Sequence, residues 1–236
     1  MDIADAVSVA AAARLLRLHE SRVRDLVRRG SLKADKLGRD LVLDRADVLA
    51  FRERERRAGR PLCATNAWAL LAILAGEAPG WARRTTLDRL RRRAHDAAWV
   101  VGALERSQAR AHIMRWELLP ADVARIDERP NLVRTGSAAA EHVSDLVQSS
   151  SQVRLDAYAD ARTLEELRRR FRPTTSAKVR PNVALRVPSH GWILERGPVA
   201  PIAVVAADLL LDPSQRVRRA GERILRAIVD DADRDS

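Results

Sequence analysis

The chain has 236 residues, 46% of them apolar, which suits a small domain joined to a medium one with a packed core. Its formal net charge of +11 and its isoelectric point near 11.2 favour a polyanionic partner, nucleic acid foremost. The single cysteine, Cys63, excludes an intramolecular disulfide framework and any cysteine-based zinc cluster. Only three cations are lysine, a bias expected of a GC-rich genome, but base composition does not explain the excess of cations over acids.

The N-terminus MDIADAVSVAAAARLLRLHE carries acids where a signal peptide needs cations, and Arg14 interrupts its apolar run. The longest apolar run, PVAPIAVVAADLLL, is too short for a bilayer and contains Asp208. A soluble bacterial cytoplasmic protein, with no membrane contact, is therefore expected.

Ser8 can cap a first helix with Val9, Ala12, Ala13 and Leu16 on its apolar face. A turn follows at RLHE. The second helix places Val23, Leu26 and Val27 inward, and Gly30 supplies a left-handed stop. SLKADKLGRDLVL predicts two short strands turning at Gly38-Arg39, and Asp44 can cap a third helix with Val48, Leu49 and Phe51 inward. The charged stretch RERERRAGRP, Arg52 to Pro61, is the candidate linker between domains 1–58 and 61–236.

Beyond it, LCATNAWALLAILAG predicts a nearly all-apolar helix, buried in the core or against a second copy. TTLDRLRRRAHDAAWVVGALE is helical in pattern. Strands are predicted in ARAHIMRW, NLVRTG, VRLDAYAD and VRPNVALRVP, with helices near PADVARI, SAAAEHVSDLV and TLEELRRRF between them. The tail predicts two helices broken at Asp212-Pro213. The fold class expected is helix-rich α+β: an N-terminal winged helix-turn-helix, then a mixed α/β domain.

In a helix-turn-helix, the first helix braces across the phosphate backbone and the second lies in the major groove. Small residues at Ala11 to Ala13 allow the required close packing. With Val23, Leu26 and Val27 inward, the outward set is Ser21, Arg22, Arg24, Asp25, Arg28 and Arg29. Ser21, Arg22, Arg24 and Asp25 are placed to read base edges, arginine being able to bond guanine bidentately. Arg28 and Arg29, at the helix end, suit phosphates, as do Lys33, Lys36 and Arg39 on the hairpin. A second basic segment, WARRTTLDRLRRR, turns Leu87 and Leu90 inward and leaves Arg84, Arg91 and Arg92 for accessory DNA or partner contacts. One short helix reads few base pairs, so a dimer on repeated half-sites of double-stranded DNA is expected, with AWALLAILA a candidate to mediate it.

Catalytic constellations are sparse. Gly136-Ser137 followed by Asp145 suggests the opening of a nucleotidyltransferase site, but residue 147 is Val and the carboxylate pair is missing. Asp156 and Asp160 suggest a metal-dependent nuclease, yet no Glu-x-Lys follows, and surface or capping acids are the favoured reading. His19, His95, His112, His142 and His190 lack the spacing of a zinc site. No phosphate loop and no nucleophile elbow occurs. The expectation is a non-catalytic regulator without cofactor or metal.

SVAAAARLLRLHESRVRDLVRRGSLKADKLGRDLVLDRADVLAF, about residues 7 to 52, resembles the winged helix-turn-helix of excisionases and MerR-type regulators. Arg17 stands at that pattern's turn glycine, His19 at its Ser/Thr cap, and Glu20 and Asp40 add acids to the DNA-facing side. In the body, GPVAPIAVVAADLLLDPSQRVRRAGERIL, with NLVRTGSAAAEH, VRLDAYAD and NVALRVP, resembles AbiEi-family antitoxins over most of residues 61 to 229. That resemblance implies an antitoxin that represses its own operon and counteracts a nucleotidyltransferase toxin encoded beside it. The alternatives are an excisionase-like architectural factor and a ligand-responsive transcriptional regulator.

Overall fold

A computed structural model describes residues 6–28, 30–37, 40–58, 61–143, 154–174 and 181–234. The chain divides into two compact units, Met1–Gly59 and Arg60–Ser236.

In the first unit, β1 (Ala6–Ser8) leads directly into α1 (Val9–Leu16), whose first turn is capped by the Ser8 hydroxyl accepting from Ala11 N–H at 3.2 Å. Helix α2 (Glu20–Arg28) follows after three residues. Gly30, at φ 69°, closes it, with Ser31 N–H bonded back to the Leu26 carbonyl. Strands β2 (Ala34–Leu37) and β3 (Asp40–Asp44) pair in antiparallel register with Leu37 opposite Asp40. The turn at Gly38-Arg39 lies outside the described residues. Strand β1 adds to the other edge of β3, an element the sequence reading lacked. Leu41 and Leu43 face one side of this sheet, where they meet Val9, Ala12, Val23, Leu26 and Val48.

Helix α3 (Arg45–Ala58) starts on Asp44, whose carboxylate accepts from Ala46 and Asp47 N–H. One expectation needs correction here. Leu49 is exposed rather than inward, because Val48 and Phe51 already face α1 and the sheet. Helix α3 runs on into the charged stretch after Phe51 as far as Ala58.

The second unit is built on a mixed four-stranded sheet in the order β4-β7-β6-β5. Its strands are β4 (Ala111–Trp116), β5 (Val133–Arg134), β6 (Leu155–Tyr158) and β7 (Val183–Pro188). Pairing is antiparallel except between β6 and β7, which run parallel. That parallel pair requires a crossover, supplied by α9 (Ala161–Phe171).

Alternation along β6 and β7 divides the unit into two cores. Leu155, Ala157, Val183 and Leu185 pack with Val123 and Ile126 of α7 (Pro120–Asp127) and Leu164 and Leu167 of α9. Tyr158 faces the other core, which holds α4 (Ala64–Leu74), α5 (Arg84–Ala94), α6 (Ala97–Arg106), α8 (Gly136–Val143), α10 (Ile202–Leu209) and α11 (Gln215–Arg234). The stretch between Thr85 and Glu105 breaks at His95-Asp96, where Asp96 caps α6 by accepting from Trp99 N–H. Ala67 to Ala72 of α4 are fully buried inside this unit, so the proposed dimer helix is a core helix instead. Among the described residues no helix is long and apolar enough to cross a membrane.

Candidate nucleic-acid interface

The geometry between α1 and α2 is set by two local devices. Arg17 adopts φ 56°, and the N–H groups of Arg17 and Leu18 bond back to the Arg14 and Ala13 carbonyls, ending α1 sharply. This is the position where the pattern places glycine, and arginine occupies it at a conformational cost. His19 then acts as the cap of α2. Its Nδ1 accepts from Ser21 N–H at 3.4 Å and lies 3.0 Å from the Ser21 hydroxyl, while its carbonyl accepts from Arg22 and Val23.

Val23 and Leu26 are buried against α1, and Ser21, Arg22, Arg24 and Arg28 are exposed on the opposite side. Those cations are not loose. Arg22 and Arg28 both reach the Asp25 carboxylate, at 3.2 and 3.4 Å, and Arg24 reaches Glu20 at 3.2 Å. Exposed pairs of this kind contribute only about 0.3–0.5 kcal/mol each, so phosphate or a guanine edge can displace them cheaply. Asp25 is half-buried and engaged with arginines, which casts it as an organiser of Arg22 and Arg28 as much as a base reader. Lys33 is exposed just before β2, and Lys36 lies within β2 opposite Leu41. Arg29 and Arg39 lie outside the described residues.

A family model described as a helix-turn-helix domain matches residues 6–56. The first unit is a helix-turn-helix domain. Its match supports DNA binding, with α2 as the element that carries the exposed cations. No curated protein and no solved structure matches the chain.

Outside the helix-turn-helix domain, Arg84, Arg91 and Arg92 are exposed on α5, and Leu90 is buried as expected. Arg91 lies 3.9 Å from Asp88, and Arg93 sits over the Trp99 ring. Arg84 and Arg92 form no ion pair among the described residues.

The two acids considered for a nuclease are both engaged elsewhere. Asp160 caps α9, accepting from Thr163 N–H at 2.6 Å, and that bond holds its carboxyl below the ordinary value. Asp156 is buried and takes a bidentate ion pair from Arg186 at 2.6 and 2.7 Å. Asp145 lies outside the described residues.

Asp156 belongs to a buried polar cluster that sequence reasoning missed. Its centre is Asp208 on α10. Arg110 and Arg186 reach one carboxylate oxygen at 2.5 and 3.2 Å, and the Thr135 and Tyr158 hydroxyls donate to the other at 2.6 and 2.8 Å. Burial alone would raise the Asp208 carboxyl, but Arg186 and Arg110 outweigh it and the net direction is down. Burial and the neighbouring Asp208 push the Tyr158 hydroxyl up, so it stays a donor. Burial opposes the Arg186 cation, yet Asp156 and Asp208 hold its pKa above the ordinary value. The only signal in the sequence was a lone aspartate in an apolar run. The two arginines and two aspartates cancel, and the cluster ties β6, β7 and α10 together. Nothing in it is exposed for a ligand.

Proposed function

We propose that this chain is a non-catalytic DNA-binding transcriptional repressor. Its helix-turn-helix domain reads an operator through α2, the β2–β3 hairpin serves as a wing, and a dimer occludes repeated half-sites. The observation that carries this is the face of α2, where Ser21, Arg22, Arg24 and Arg28 are exposed together, opposite the buried Val23 and Leu26. Ser21, Arg22 and Arg24, with Asp25 orienting its neighbours, read bases. Arg28, Arg29, Lys33, Lys36 and Arg39 hold phosphates, with Arg84, Arg91 and Arg92 as accessory contacts.

Footprinting on the DNA upstream of the gene tests the reading. Protection of two half-sites, and loss of reporter repression with Arg22→Ala, are expected. Uniform coverage of all DNA at the same protein concentration would refute a sequence-specific repressor. A strong bend in the bound duplex would favour the excisionase-like architectural role, and a small-molecule shift in affinity the ligand-responsive one.

The resemblance of the second unit to AbiEi-family antitoxins supports a further role, as antitoxin to a nucleotidyltransferase toxin encoded alongside. The segments that carry the resemblance supply Thr135, Asp156, Tyr158, Arg186 and Asp208, all members of the buried cluster. The likeness therefore lies in how the unit is built, and the toxin it would counter is a matter for experiment. Growth after inducing the adjacent gene, with and without this protein supplied separately, is the test. Rescue is expected, and a harmless neighbour or persistent toxicity with soluble protein would remove the antitoxin role.

A further inference from the structure

Helix α11 carries a charge pattern that its own fold does not use. Val217, Ala220, Gly221, Ile224 and Leu225 are buried against the rest of the second unit. On the opposite side, Arg216, Arg219, Arg223 and Arg226 recur at intervals of three, four and three residues, and all four are exposed. These intervals keep the four side chains on one strip of the helix surface. Arg226 is held by Glu222 at 2.8 Å, whereas Arg216, Arg219 and Arg223 form no ion pair among the described residues.

The stripe also runs against the helix dipole. The N-terminal end of a helix favours acids and the C-terminal end favours cations. In α11 the first turn holds no acid and carries Arg216 and Arg218, with Arg219 next, while Asp230 and Asp231 stand near the other end beside Arg234. The arginines of α5 are different, since three of them fall in its last turn, where the dipole accepts them, and Arg93 is engaged with Trp99. By contrast, the α11 stripe begins with cations at the end where the dipole disfavours them, and Arg216, Arg219 and Arg223 have no acidic partner among the described residues.

We propose that the Arg216–Arg219–Arg223–Arg226 stripe is a second DNA-backbone contact, separate from the helix-turn-helix domain. With about 1.5 Å rise per residue the stripe is about 15 Å long, matching about four phosphate steps of one strand at about 3.4 Å each along the duplex axis. Guanidinium groups pair with phosphate oxygens in a planar fork, and such contacts carry no sequence information. The stripe adds affinity and footprint, and leaves the choice of sequence to α2. The inference rests on the DNA-binding reading of the first unit.

The test measures the affinity of the full chain for a labelled mixed-sequence duplex of about three helical turns as a function of salt. Each phosphate contact contributes about 0.9 to the slope of log affinity against log salt, so R216Q/R219Q/R223Q should flatten the slope by about 2.7. On raising salt from about 50 to about 200 mM, the parent should lose about 40-fold more affinity than the variant. R216K/R219K/R223K, which keeps the charge, should retain most of the parent slope. The control R162Q/R168Q/R169Q removes the same charge from exposed positions of α9, where Glu165 and Glu166 are already paired with Arg168 and Arg162, and should leave the slope as it is. An unchanged slope in R216Q/R219Q/R223Q, with normal binding by the parent, overturns the stripe alone and leaves an acidic protein as its partner. Equal flattening by the α9 control overturns it too, as a bulk charge effect. A parent chain that binds no DNA at low salt overturns both readings.

Discussion

Arg17 ends α1 in the left-handed region at φ 56°, where a side chain with a Cβ is disfavoured by about 1–2 kcal/mol. Its side chain is exposed, so glycine at this position would relieve that strain without emptying a core. Part of the gain is offset by the greater freedom of glycine in the unfolded chain. Arg17→Gly should raise the stability of the first unit by about 0.5–1 kcal/mol, read as a higher thermal midpoint, while Arg17→Ala should show no such gain. Arg24 poses a different question at the same scale. It is exposed mid-helix and, among the described residues, paired with Glu20 four residues earlier, an interaction too weak to hold it away from a base. Arg24→Ala should cost about 1–3 kcal/mol on the operator and relax the preference at one base position. If the loss is the same on the operator and on mixed-sequence DNA, Arg24 is a phosphate contact.

At the scale of elements, the second unit hangs on Asp208 joining α10 to the sheet. Replacing it by asparagine leaves Arg110 and Arg186 buried with one carboxylate between them, and breaking a buried ionic group this way costs about 3–5 kcal/mol. Asp208→Asn should therefore lower the denaturation midpoint of the second unit sharply. The pH dependence follows from the direction of the shift. The carboxyl of Asp208 is depressed below its ordinary value of 3.8, so its contribution is full above that value and disappears as pH falls through the depressed one. Stability of the parent should drop in that acid range, and Asp208→Asn should lack this component. Packing of α10 on α11 has its own requirement. A Cβ on Gly221 would come within 2.5 Å of the Ala206 carbonyl and 2.8 Å of Leu209 Cβ, so Gly221→Ala should destabilise the unit by about 1–3 kcal/mol. None of this was visible in advance, although the elements themselves were. Periodicity located the four strands of the second sheet and the break at Asp212-Pro213, and capping residues Ser8 and Asp44 marked true helix starts. What periodicity cannot express is which strands become neighbours. Asp156, Arg186 and Asp208 are far apart in sequence and meet only once β6 pairs with β7 and α10 packs on the sheet, so Asp156 read as a surface or capping acid and Asp208 as a lone aspartate in an apolar run. Leu49 shows the converse, an apolar residue left outside because its neighbours already filled the core.

For the whole molecule, the governing constraint is information. On the proposed reading a single α2 offers Ser21, Arg22 and Arg24 to bases, enough for only a few positions, and non-specific attraction from a net charge of +11 would compete on every other stretch of DNA. In the proposed repressor, two copies on one operator would supply the selectivity that one helix lacks. The apolar helix α4 is not available to join them, because Ala67 to Ala72 are enclosed in the second unit's own core. The proposed pairing would use other surfaces, and its geometry is readable from the DNA. Two copies in contact require half-sites on one face of the duplex, spaced by about one helical turn or a multiple of it. Inserting about half a turn between the half-sites should abolish cooperative binding, and inserting about a full turn should restore part of it. Sedimentation of the complex should count two chains per operator. Equal affinity for all three spacings would mean that the copies bind independently, and the occluding dimer would then give way to single molecules acting at separate sites.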